Sequence, residues 1–522
     1  MKKYKFSMLM IIVLILTTAL YGCNGKKEEN NNDKTPVDEQ SLNTPTYGGN
    51  VVVGISQDLD SLDPHKAVAA GTKEVLFNLF EGLVKPDKDG NLVPAVADSY
   101  DISDDGKVYT FKLRKDVKFH NGNLVTADDI VYSIQRSAGL LTDTEESVVI
   151  ESALSNVEKV VKVNDDLVEI HLKEGDSELI GYLTVAIIPK GYNEMDTKPI
   201  GTGPFEFVSY TPLEKLVIKK FEDYYSAGEP YLDEVTFKIV ANTDAAMLEL
   251  LAGSIDIFPY LTDAQAEQLK NNFNILEGNM NLVQALFLNN GAEPFNNFKV
   301  REALMYGIDR QGIIDMVAGG KGSIIGSNMF VGFGKYYKEE LETAYSYNVE
   351  KAKELLKEAG YPDGFTFTIK VPSNYSFHVD TAQVIVEQLK AIGVTAKIEQ
   401  IEWASWLTDV YTGRNYEATI IGLDAKLAAR DVLERYQSSA YNNFLNYKNQ
   451  SYDELFVKAI TTVNEDEKIN YYKELQTILT EDAASVYIQD PALLVAVDKD
   501  LGGYTFYPVY VLDMSKVYYI EK

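Results

Sequence analysis

The sequence predicts a mixed α/β fold, and three stretches carry that prediction. VYTFKLRKDVKF, between Asp104-Asp105-Gly106 and Asn121-Gly122, alternates apolar and polar residues and reads as a β-hairpin pair. ADDIVYSIQRS follows Thr126, which with Asp129 forms a capping pair that opens a helix. FTFTIKV at 365–371, TAQVIVEQLKAIG after the cap Asp380, and VTAKIEQI read as strand, helix and strand. That is a βαβ unit, whose crossover is right-handed.

The chain opens with Lys2, Lys3 and Lys5, followed by an almost wholly apolar run at 6–20. A basic start and a short apolar run form a secretory signal. The run is shorter than the ~20 residues a membrane-spanning helix needs. It ends at Cys23, the sole cysteine, which has no partner for an internal disulfide. Leu20-Tyr21-Gly22-Cys23 resembles the lipobox of bacterial lipoproteins, although Tyr21 stands where a small residue is usual. Two acyl chains on Cys23 would hold the protein at a membrane, since a single chain binds only marginally. The polar stretch after Cys23 has too little apolar content to offset its own ordering entropy, and it reads as a disordered tether.

Beyond the tether, GNVVVGISQDLDSLDPHKA gives an apolar strand running into a turn at Asp63-Pro64. Further on, NVEKAKELLKEAGYPDG is a helix capped by Asn348 and stopped by Gly360 and Pro362. About 475 residues remain after the tether, enough for about two to four domains.

With 78 acidic against 49 basic residues the net charge is −29, and −32 without residues 1–22. Such a surface repels phosphate backbones and argues against nucleic-acid binding. The chain has no G-x-S-x-G, H-E-x-x-H or G-x-x-x-x-G-K-[ST]. GGKGSIIGS at 319–327 lacks G-x-G-x-x-G spacing and reads as a helix end or turn. His65, His120, His171 and His378 lie far apart, with no metal-ligand pairing. Asp104-Asp105 and Asp128-Asp129 suit turns and caps. No enzyme chemistry, metal or cofactor is expected. Tyrosine is abundant, at 34 residues, and tyrosine often lines sites that take varied ligands.

One long stretch then narrows the reading. Ser61-Leu62-Asp63-Pro64-His65, Glu81-Gly82-Leu83-Val84, Pro94-Ala95-Val96-Ala97, Tyr109-Thr110-Phe111, Leu113-Arg114, Val117-Lys118-Phe119-His120-Asn121-Gly122 and Thr126-Ala127-Asp128-Asp129 succeed one another at fixed spacing. Ile200-Gly201-Thr202-Gly203-Pro204-Phe205, Val300-Arg301-Glu302-Ala303 and Ile308-Asp309-Arg310 extend the pattern. It resembles the family 5 solute-binding proteins of bacterial ABC importers, the oligopeptide- and dipeptide-binding group.

The resemblance implies a periplasmic-binding-protein-like fold, with two lobes around a ligand cleft and an extra β-rich subdomain. The expected division is a leader at 1–22, a tether at 23–46 and a discontinuous lobe I at 47–84, 199–289 and 498–522. The subdomain would be 85–198 and lobe II 290–497. The partners implied are a peptide or small-molecule ligand and an ABC permease with its ATPase. The membrane would be reached only through acyl lipid on Cys23, and the protein would be a monomer at the outer face of the cell membrane.

In peptide-binding relatives, a G-W-x-x-D pattern holds the ligand's α-amine. Counting from Gly422, the Trp position is Leu423 and the Asp position is Lys426. A lysine there repels an ammonium and attracts a carboxylate or phosphate. Either Lys426 anchors an anionic solute, or Asp424 or Asp431 supplies the acid from a shifted loop. Trp403 matches a pocket-wall position, while Trp406 reads as core. Asn289, in Leu288-Asn289-Asn290, matches a cleft-edge segment. Arg301 and Asp309-Arg310 read as structural ion pairs. The expectation is a binding protein for oligopeptides, with a non-peptide or anionic solute, or a peptide-signal receptor, as the alternatives.

Overall fold

The computed structural model describes residues 44–141, 152–240, 242–373 and 375–521. The expected leader and Cys23 lie outside the described residues. So does most of the expected tether. Its last residues do not: Pro45–Thr46 forms a short strand paired with Tyr518–Ile520, so the ordered chain begins before residue 47.

One strand organises the architecture. Ser485–Asp498 is 14 residues long and almost wholly buried. Its first part pairs with Val283–Leu288, and its later part with Phe273–Asn279 and Ile257–Phe258. The resulting sheet runs in the order Thr395–Ile401, Thr366–Pro372, Ala418–Leu423, Val283–Leu288, Ser485–Asp498, Ile257–Phe258, Asn50–Ile55, Glu234–Ile239, Lys215–Lys220, Phe205–Thr211. The half containing Asn50–Ile55 is lobe I, and the half containing Thr366–Pro372 is lobe II. Each half has its own core. Val51, Val53, Phe205 and Phe237 fill lobe I, and Leu286, Phe367, Ile369 and Ile385 fill one face of lobe II. The fold is therefore mixed α/β with two lobes.

The subdomain is a separate four-stranded antiparallel sheet, in the order Ala97–Ile102, Val108–Leu113, Leu167–Leu172, Val157–Asn164. Tyr109, Phe111, Val168 and Ile170 pack against Ile130 and Ile134 of the helix Ala127–Ser137. The Thr126 hydroxyl accepts from the Asp129 N–H, and the Asp129 side chain accepts in return, a reciprocal cap.

The βαβ unit forms as its periodicity predicts. Thr366–Pro372 pairs in parallel with Thr395–Ile401, with the helix Ser376–Leu389 between them. That helix starts before Asp380, so Asp380 lies inside it and caps nothing. Asn348 does cap its helix, accepting from the Lys351 N–H at 3.0 Å.

Two other expectations need correction. Val108–Leu113 does not pair with the residues that follow it. Its partners are Ala97–Ile102 and Leu167–Leu172, so the hairpin bends at Asp104-Asp105-Gly106. Alternation identified the strand, but the choice of partner depends on contacts distant in sequence. Arg301 and Arg310 are structural but not ion-paired. Arg301 donates to the carbonyls of Phe295, Asp482 and Ala483, the last two just past the helix Glu465–Glu481. Arg310 donates to the carbonyls of Ile325, Glu342 and Tyr345. A guanidinium has five N–H donors in a fork, which suits it to gathering loop carbonyls that no regular ladder uses.

Candidate functional site

The two halves of the sheet meet where Ser485–Asp498 passes from one partner strand to the next. Gln489 is the last residue paired with Val283–Leu288, and Ala492 opens the pairing with Phe273–Asn279. Between them lies Asp490, fully buried. Its Oδ1 accepts from the Leu282 N–H at 3.0 Å, while among the described residues Oδ2 makes no hydrogen bond of good geometry. Burial pushes this carboxyl up to about 7, although the Leu282 and Asn281 N–H groups pull the other way.

Against this junction lies a chamber of about 20 Å³, room for one water-sized group. Glu74 of the helix Ala70–Leu76 lines it, together with Tyr260, Asn281 and the segment 504–512. Tyr260 and Asn281 both hold left-handed backbone, φ 66° and 56°. Such strain in non-glycine residues concentrates at functional sites.

Glu74 is 8% exposed, and the Tyr260 hydroxyl donates to its Oε1 at 2.5 Å. Burial pushes Glu74 up to about 7, and only the Tyr260 hydrogen bond opposes it. The Tyr510 hydroxyl is raised first by burial, then by the charges of Asp424, Glu74 and Asp490 and by Tyr375. These groups come from lobe I, the junction strand and lobe II.

The loop after Ala418–Leu423 carries most of the residues singled out from sequence. Leu423 ends that strand and packs half-buried against the lobe II core. Asp424 is exposed and acts on Tyr510. Lys426 and Asp431 turn the other way, toward the subdomain. The Lys426 N–H donates to Asp431 Oδ2 at 3.0 Å, and the Lys426 ammonium lies 5.8 Å from the centre of the Tyr182 ring. The Tyr182 hydroxyl donates to Asp431 Oδ1.

Next to them, the Arg430 guanidinium meets Asp176, and the Arg430 N–H donates to Glu178 Oε2 at 3.1 Å. Ser177 donates twice to the Ile460 carbonyl. The loop is thus clasped to the subdomain by these hydrogen bonds and the Arg430–Asp176 ion pair. Burial pushes Glu178 up to about 7 despite the nearby charge of Lys468.

Gly422, at the root of the loop, donates its N–H to His378 Nε2 at 3.0 Å. Burial holds the His378 imidazole down to about 4, so it is neutral near pH 7. Its Nδ1 lies 2.9 Å from the Gln284 amide, which joins Gln489 at 2.8 Å. A buried hydrogen-bonded chain therefore ties the loop to the junction strand.

Trp403 is 37% exposed, stacked on Trp406 at 5.1 Å and edge-on to Tyr375 at 5.6 Å. Trp406 is core, its indole N–H donating to Thr419 at 2.9 Å. Asn289 is buried, and its amide is committed to Arg414, Tyr416, Gly291 and Asn446.

Sequence reasoning did not find Glu74, Tyr260, Asp490 or Tyr510. The tyrosine abundance and the aromatic run GGYTFYPVY point to the last of these. Nothing in AGTKEVL marks its glutamate as buried. A larger cavity, about 430 Å³, borders Tyr507 and Thr505, and two of its lysines are ion-paired. Lys85 pairs with Glu81 and Lys516 with Glu229. Among the described residues no group of three His, Cys, Asp or Glu is placed to hold a metal ion.

Two lobes joined by a shared strand, a subdomain clasped to one of them and an aromatic, acid-lined junction define a bilobal solute-binding protein. The chain belongs to the bacterial extracellular solute-binding proteins, family 5, whose model matches residues 91–443. Members of this family bind solutes for transport and are not enzymes. The chain is 28% identical over 551 residues to the oligopeptide-binding protein AppA of Bacillus subtilis, covering 100% of this chain and 99% of AppA. It is similar to the ABC transporter substrate-binding protein CtaP of Listeria monocytogenes, with TM-score 0.80 and 26% identity over 91% of this chain and 100% of that one. It is also similar to DppA of Helicobacter pylori in complex with the peptide STSA, with TM-score 0.75 and 28% identity over 91% and 99%.

Proposed function

We propose that this protein captures oligopeptides outside the cell membrane and delivers them to the permease of an ABC importer. It is tethered by acyl lipid on Cys23 and carries no cofactor. Relatives named for oligopeptides, and a similar structure holding a peptide, support the ligand class. The observation that carries it is the sign of the charge around Tyr510. Asp424, Glu74 and Asp490 all act there, whereas the Lys426 ammonium lies against the Tyr182 ring on the subdomain side. That field suits a ligand with a free amine and opposes an anionic solute. The exposed face of Trp403 offers a flat wall for side chains or peptide planes.

Native mass spectrometry of the full chain, purified without refolding, tests this directly. Co-purified masses that fragment as peptides are expected. A single acidic, non-peptide species would replace the reading with the anionic one and return Lys426 to the role of anchor.

A further inference from the structure

We infer that the ligand carries a primary ammonium group and that Glu74, on the lobe I side of the cleft, holds it. This inference rests on the chamber belonging to the ligand cleft, as proposed above. It adds a residue that neither the loop at 422–431 nor the family pattern supplies.

Glu74 is a buried carboxyl that nothing compensates. Tyr260 satisfies Oε1, and among the described residues Oε2 has no hydrogen-bond partner. Packing has not sealed that oxygen away, as it has Asp490 Oδ2. Glu74 lines the chamber, and so lies beside space that a ligand group can fill. No lysine or arginine acts on it. An ionised carboxylate kept out of water without a cation is costly, so such a group is retained where a cation arrives from outside.

The groups facing Glu74 define the cation. Tyr260 comes from the stretch after Ile257–Phe258, and Tyr504 and Tyr510 from the segment 504–512. The Leu512 N–H donates to the Glu74 carbonyl at 3.3 Å and fixes that segment against the helix. Asp424 and Asp490 add negative charge at Tyr510. These acids favour a cation, and the chamber admits only a water-sized one. An ammonium fits it, whereas a guanidinium or quaternary amine does not. The group is either a peptide α-amine or a lysine side chain.

Isothermal titration of the full chain separates these sources. The probes are Ala-Ala-Ala, N-acetyl-Ala-Ala-Ala and N-acetyl-Ala-Lys-Ala. The acetylated trialanine is expected to bind about tenfold or more weakly than at least one of the others. Preference for Ala-Ala-Ala assigns the α-amine, and preference for N-acetyl-Ala-Lys-Ala assigns the side chain. Glu74→Gln keeps the Tyr260 contact and should erase the preference, whereas Glu74→Asp should keep part of it, with thermal melts confirming both folds.

Titration near pH 6.5 in buffers of different ionisation heat should show proton release on binding, reduced in Glu74→Gln, because an ammonium pulls the raised carboxyl down. Equal binding of all three probes, or a preference that survives Glu74→Gln, overturns the inference and leaves the peptide reading standing. If no peptide binds but n-propylamine does, dependent on Glu74, the inference stands and the peptide reading falls. If neither binds, both fall.

Discussion

Asp176 and Glu74 are both buried acids, and the molecule treats them in opposite ways. Asp176 meets the Arg430 guanidinium inside a clasp that also engages Glu178, Tyr182 and Asp431. Glu74 meets one tyrosine hydroxyl and no cation. The ion-paired Asp176 helps to hold the subdomain to the loop at 422–431, and Glu74, without a cation among the described residues, lines a chamber. The contrast lies between these two acids: Glu178, inside the clasp, is raised to about 7 by burial as Glu74 is, so access to a chamber, and not burial, distinguishes Glu74.

The largest effect should come from breaking the clasp. Arg430→Met leaves Asp176 buried without its partner and should cost about 3–5 kcal/mol in urea denaturation. A cost no greater than that of a surface substitution would mean that the pair contributes nothing to holding the loop.

Glu74→Gln should act in the other direction on the ligand-free protein. The folded carboxyl titrates at about 7 against its ordinary 4.5. Its raised value favours folding at low pH, and that advantage is lost as pH rises from 4.5 through 7. The variant should therefore match wild type near pH 4 and exceed it near pH 8, by of order 1–3 kcal/mol. Melting temperatures measured across that range check the sign, and a variant destabilised at pH 8 would show that Glu74 has a cation after all.

The smallest effect belongs to Lys426. Lys426→Met removes the ammonium near the Tyr182 ring and should shift stability by less than about 1 kcal/mol. It should leave ligand affinity within a few-fold of wild type. Loss of binding would restore the anionic reading.

What the sequence could disclose followed the range of the interactions. The caps at Thr126 and Asn348 were legible because donor and acceptor lie three residues apart. The βαβ unit was legible from its two periodicities, though its helix begins before Asp380. The family landmarks disclosed the lobes. The clasp was not legible, because Asp176 and Arg430 are 254 residues apart. Nor was the direction of the loop at 422–431: spacing placed Lys426 at an anchor position, and only the fold turns it toward Tyr182. Glu74 stayed hidden because nothing local distinguishes a buried glutamate from a solvated one on a short helix.

The shared strand Ser485–Asp498 also sets an order on biosynthesis. In sequence it follows every other strand of the sheet, yet it supplies a central ladder to both halves. A growing chain can assemble the subdomain early, because residues 97–172 complete that sheet by themselves. Neither half of the sheet is complete without residues 485–498. Strands that flank the shared strand in the finished sheet, such as Val283–Leu288 and Ile257–Phe258, therefore wait without their shared partner until residues 485–498 have been made.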